Sequence, residues 1–194
     1  APPLVSAGAT VVLTNYDLCP AVSVTEIVTQ TRRALAWVHA NASRYNGDPA
    51  RIYVSGHSAG GHLAAMMVAT DWDREAGLPN DLIKATTVLS GLFDLSRHRD
   101  VDVQADINLS VEETKTLSPA VLIPVARGPV LVGVGGGEPD LFHWQSLIYA
   151  AHLRFHGIAT TFLSLGEDNH FEVTDRLADP DDLLTRALIT QMGL

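Results

Sequence analysis

Apolar residues recur along this chain in two alternating rhythms. Short β-branched and aliphatic runs, "ATVVLTNY" (9–16), "RIYVS" (51–55), "ATTVLSG" (85–91), "PVLVGVG" (129–135) and "TTFLSLG" (160–166), are followed by glycine or turn-forming polar residues and predict strands. Between them lie stretches with helical spacing. In "SVTEIVTQTRRALAWVHANASRY", Ile27, Leu35 and Val38 fall on roughly one face, and Ser23 with Glu26 three residues on is a capping-box pattern. Further helices are predicted over "SAGGHLAAMMVAT" and around 111–116, 142–156 and 181–192. Strands that are nearly continuous apolar runs, alternating with helices, imply a mainly parallel sheet covered on both faces, an α/β architecture. "SRHRDVDVQAD" (96–106) is polar enough to predict an exposed excursion, and neither a repeat nor a linker interrupts the pattern.

Composition narrows the picture. With 194 residues the chain suits one domain over 1–194, long enough to bury a substantial core. Thirteen basic and twenty-two acidic residues give a formal charge of −9, which repels phosphate backbones and anionic membrane surfaces, so neither nucleic acid nor membrane is an expected partner. Cys19, the lone cysteine, cannot form an internal disulfide. "APPLVSAGAT" lacks the basic and apolar regions of a signal peptide, so the expected location is cytoplasmic.

The candidate chemistry begins at Gly56-His57-Ser58-Ala59-Gly60, a G-x-S-x-G pattern between a predicted strand and a predicted helix. Glycines there permit a crowded turn that pushes a serine hydroxyl out of the sheet's carboxyl edge; the competing reading is a Gly-rich turn with a Ser cap. A nucleophilic Ser58 needs a base and an acid after later strands. His170, in the polar loop "GEDNHFEV" after the last strand, is the candidate base. His39 lies in a helical face, His57 and His62 flank the turn, and His143, His152 and His156 fall in a predicted helix. His152 and His156 have i, i+4 spacing but no carboxylate between them, so no metal site is expected. The acid should follow "PVLVGVG", where Glu138 and Asp140 both qualify; Asp140 is the better helix cap, which favours Glu138.

The blocks "NYDLCP", "WVHANASRYNGDPARIYVSGHSAGGHLAAM", "SGLFDL", "LSP", "GGGEPDLFHWQS" and "DNHFEV" resemble the α/β-hydrolase fold, and within it the kynurenine formamidase (arylformamidase) and small-carboxylesterase group, over nearly the whole chain. The resemblance implies Ser58 as nucleophile, His170 as base, Glu138 at the acid position and the Ala59 amide as an oxyanion donor. It also implies an H-G-G-type loop after a third strand, which the chain lacks. With "ATVVLTNY" taken as the fourth strand, the fold is expected to be N-terminally incomplete, its remaining strands lying ahead of Ala1.

The expected function is a serine hydrolase cleaving a small acyl ester or N-formyl aryl amide such as N-formylkynurenine, through an acyl-enzyme and without a cofactor. Phe93, Trp144 and Phe171 are candidates for an aromatic-tolerant pocket, with core packing as the competing role. Asp94 reads as a turn or cap residue. A non-catalytic binding module on the same fold and an acyltransferase with the same triad are the alternatives, and self-association into a homodimer stays open.

Overall fold

The computed structural model describes residues 1–100 and 104–194, with the backbone alone at 98–100. Among the described residues four strands form one sheet: β1 (Ile52–His57), β2 (Ile83–Leu89), β3 (Val130–Gly135) and β4 (Thr160–Leu165). Their spatial order is β1-β2-β3-β4, and every neighbouring pair is parallel. Right-handed crossovers in a sheet that grows in one direction carry the connecting helices to one face. There Ala64, Ala65 and Val68 of the Ala59–Ala69 helix and Tyr149, Ala150 and Leu153 of the Asp140–Phe155 helix bury Val88, Val130 and Val132. The opposite face, with Leu89, Leu131 and Leu165, packs on Leu184 and Leu188 of the Leu183–Gln191 helix. Each fully buried Val or Leu side chain among them stabilises the fold by roughly 1.5–3 kcal/mol. The outer strand β4 is only partly buried, unlike β3, in which every residue is buried.

The predicted strand at 9–16 does not form. Residues 9–18 have no regular structure, and Val12 and Leu13 are 47% and 86% exposed. A strand exists only through its ladder, and no described residue pairs with this segment as a strand. Its ties include the Thr10 hydroxyl on the Tyr45 carbonyl (3.1 Å) and the Asp17 amide on the Gln30 side chain (2.9 Å). Between it and the outer edge of β1 lies a cleft of about 680 Å³. The Val24–Asn41 helix reflects the same opening. Ile27 and Val28 are buried and Leu35 packs on the core, while Val38 lines the cleft and Trp37 is half-exposed. Its Ser23 cap holds the Glu26 amide at 3.2 Å, but the Glu26 carboxylate turns to Gln30 and Arg33 instead of closing a capping box.

Other boundaries shift by a few residues. β2 ends at Leu89, because Ser90 takes a left-handed φ of +48° that no extended strand accommodates. The helix expected over 142–156 starts at Asp140, with Pro139 as its cap, so Asp140 is the first helical residue. Of the excursion expected over 96–106, residues 101–103 lie outside the described part. Its flanks form a 3₁₀ segment, Leu95–Asp100, and one helical turn, Gln104–Ile107.

Candidate active site

In an open parallel sheet the carboxyl ends of the strands, with the helix N-termini that follow them, form the natural crevice for polar chemistry. Ser58 follows β1 directly, in a backbone conformation (φ 56°, ψ −120°) that non-glycine residues rarely adopt and that costs on the order of 1–3 kcal/mol. The surroundings hold it there. The Ser58 amide donates to the Leu89 carbonyl at 2.9 Å. A Cβ on Gly56 would lie 2.0 Å from the Gly60 carbonyl oxygen, and one on Gly61 would lie 2.9 Å from that of Leu89. A Cβ on Gly60 would meet nothing within 4 Å, so the tight contacts are at Gly56 and Gly61 rather than at the motif's second glycine. Ala59 opens the Ala59–Ala69 helix, where first-turn amides have no acceptor within the helix.

The structure brings Ser58, His170 and Glu138 into one hydrogen-bonded line. The Ser58 hydroxyl lies 2.8 Å from His170 Nε2, and His170 Nδ1 lies 2.7 Å from Glu138 Oε2. The Glu138 side chain is fully buried and the imidazole about one-fifth exposed. With Nδ1–H donating to the carboxylate, Nε2 is left to accept the serine proton. Asp140, two residues on, is exposed in the first turn of its helix and its carboxylate takes no part.

A run of glycines explains how acid and base meet. A Cβ on Gly135 would lie 2.3 Å from the Asp168 carbonyl oxygen, one on Gly136 1.8 Å from that of Gly166, and one on Gly137 2.4 Å from that of Glu167. Only bare backbone lets the turn after β3 press against the loop after β4, and the Gly137 amide then donates to the Asp168 carbonyl at 3.0 Å. Arg176 clasps the Asp168 carboxylate with Nε and with Nη2 (3.0 Å) and reaches Asp182 through Nη1 (2.9 Å), fixing the loop two residues before His170.

Three rings surround the His170 imidazole. His57 and Phe142 lie 4.5 Å and 4.4 Å from it, centroid to centroid, and Phe171 meets it edge-on at 5.7 Å. Burial first, and the neighbouring His170 second, hold His57 below the ordinary imidazole range, and its Nε2 is buried without a hydrogen-bond partner. Phe171 is 79% exposed at the mouth of the site. Phe93 does not line it: fully buried, it stacks on Tyr149 at 4.3 Å, because the apolar layer under the sheet outcompetes the crevice for a large ring. Trp144 is half-buried beneath the Arg97 guanidinium, 5.2 Å from the ring centroid. Asp94 caps locally, accepting the Ser96 amide at 2.9 Å. The roles of Phe142 and Arg176 left no motif in the sequence, whereas "GGGEPD" was a visible signal for close backbone approach.

Among the described residues no group of three or more His, Cys, Asp or Glu is arranged to hold a metal ion, and no helix is long and apolar enough to cross a membrane. His152 Nε2 lies 2.7 Å from the Leu122 carbonyl oxygen.

Kynurenine formamidases of Danio rerio and Salmo salar are 31% and 32% identical to the chain over 98% of its length. The chain spans 65% of the length of each of these relatives. A solved structure of a putative thioesterase from silicibacter sp. tm1040 superposes with a TM-score of 0.76 at 28% identity, covering 91% of this chain and 62% of that one. Residues 4–173 match the family described as alpha/beta hydrolase fold, and the chain belongs to that family.

Proposed function

We propose that this chain carries the catalytic site of a serine hydrolase acting on small acyl compounds, within one domain spanning 1–194. The observation that carries this reading is the unbroken line from Ser58 Oγ through His170 to the buried Glu138 carboxylate. Ser58 attacks the substrate carbonyl as His170 Nε2 takes its proton, and the forming imidazolium is stabilised by Glu138 through Nδ1–H. Negative charge developing on the carbonyl oxygen points toward the Ala59 amide at the start of the elbow helix. Collapse passes the proton from His170 to the leaving group, and water, deprotonated by the same imidazole, releases the acyl group from Ser58. None of these steps calls for a metal or cofactor.

The relatives named kynurenine formamidase support an N-formyl aryl amide as substrate, with small aryl and alkyl esters as the wider class. The exposed Phe171 ring and the neighbouring Phe142 offer an aromatic surface next to His170, suited to an aryl leaving group. Among the described residues β1 is an outer strand of the sheet, and the family resemblance implies a further strand beside it whose H-G-G-type loop would supply a second oxyanion donor.

A fluorophosphonate probe tests the reading. Labelling on Ser58 that Ser58→Ala abolishes, with turnover of N-formylkynurenine or p-nitrophenyl acetate, is the expected result. An unlabelled Ser58 in the folded protein overturns it. Added alcohol or amine acceptors distinguish hydrolase from acyltransferase by the product formed.

A further inference from the structure

We propose that Ser90 is a positioning residue of this site, holding the Glu138 carboxylate in the orientation from which it engages His170. The inference rests on the hydrolase reading above and extends it by one residue. Glu138 uses its two oxygens differently. Oε2 faces His170 Nδ1, while Oε1 accepts the Ser90 hydroxyl and, at 2.8 Å, the Gly135 amide. Ser90 and the Glu138 side chain are both fully buried, so bulk water cannot replace the hydroxyl. A carboxylate held at one oxygen by a single amide can still swing about that contact. The second donor, arriving from a different strand, fixes its plane.

The backbone at Ser90 strengthens the case. Its φ of +48° is a conformation in which glycine is favoured, yet the chain places a hydroxyl there and a glycine only at the next position. The Ser90 amide donates to the Gly133 carbonyl at 2.8 Å, which turns the side chain toward the acid loop. Ser58, Ser90, Glu138 and His170 each follow a different strand, β1 to β4 in order. They form one chain of hydrogen bonds across the sheet's carboxyl end, Ser58 to His170 to Glu138 to Ser90.

The test uses Ser90→Ala and Ser90→Gly, each in the natural background and combined with Glu138→Gln. Ser90→Gly removes the hydroxyl while suiting the backbone, so it retains the fold even where Ser90→Ala does not. Both variants are expected to lower kcat about tenfold, the order of one hydrogen bond to a charged group, with KM within about twofold. In the Glu138→Gln background the same changes should have little further effect, because the carboxylate charge whose orientation they set against His170 is gone, although the amide oxygen can still accept from Ser90. A low-field proton resonance from His170 Nδ1–H, expected in the unaltered protein, should weaken or move upfield in both variants. Unchanged kcat and an unchanged resonance in Ser90→Gly overturn the proposal, as does an equal slowing in the Glu138→Gln background. If Ser58 proves inert toward substrate and probe, the hydrolase reading fails, and the resonance alone still decides what Ser90 does.

Discussion

The carboxyl end of the sheet and the outer edge of β1 border the same elbow, yet they are held in opposite ways. At the carboxyl end every strand is followed within five residues by one tied to another strand's loop, and glycines at 135, 136 and 137 let two backbones meet closer than any side chain would allow. Along the outer edge of β1 the apolar segment 9–16 runs beside a cleft, with Leu13 in solvent and no ladder partner among the described residues. Apolar, β-branched composition is similar in "ATVVLTNY" and "PVLVGVG"; only the second has neighbours on both sides. Burial and pairing, rather than propensity, decide whether such a run becomes a strand.

Substitutions sharpen this contrast. The largest effect is expected at the base: His170→Ala should lower turnover by about 10⁴–10⁶-fold in a steady-state ester assay, whereas Leu13→Ser should leave it within about twofold. Next comes the acid, where Glu138→Gln should cost about 10²–10⁴-fold and Asp140→Asn almost nothing; the reverse ranking would give the orienting role to Asp140. Gly136→Ala drives a methyl group into the Gly166 carbonyl and should destabilise the fold by about 3 kcal/mol in denaturant unfolding. Gly60→Ala, with open space around it in the first turn of a helix, should stabilise by about 0.5 kcal/mol, and a large loss there would break the assignment of the elbow's tight contacts to Gly56 and Gly61.

The smallest effect is a pH slope. Burial and the adjacent His170 depress His57 in the fold, so below about pH 6.5 the unfolded chain binds a proton that the folded chain resists. The contribution of His57 is therefore fully present above that pH and is lost as pH falls through it toward the lower folded value. Thermal unfolding between pH 5 and 8 should follow that trend, and His57→Asn should flatten it.

Much of the site was legible from local pattern. Strand, tight turn and helix around Ser58 lie within twenty residues, and the positions of Glu138 and His170 follow from the ends of the next strands, because in a parallel sheet those ends share one edge. In the sequence only cap chemistry favours Glu138 over Asp140. The fold assigns the cap to Pro139 instead, and Glu138 still turns inward. Phe93 went the other way: nothing in "SGLFDL" distinguishes a ring that lines a crevice from one that stacks on Tyr149 beneath it.

The α/β order of elements, the elbow and the residues able to act as nucleophile, base and acid are readable from the amino-acid order, since each is encoded by spacing within one or two adjacent elements. Tertiary structure alone decided that residues 9–16 lack a ladder, that Phe142 and His57 flank the base, that Arg176 grips its loop and that Ser90 reaches Glu138. Most of these contacts join strand ends and loops distant in sequence, Ser90 to Glu138 being separated by 48 residues, while Arg176 reaches Asp168 over only eight. They depend on which strand lies beside which and on how closely two backbones approach. No local periodicity carries that information.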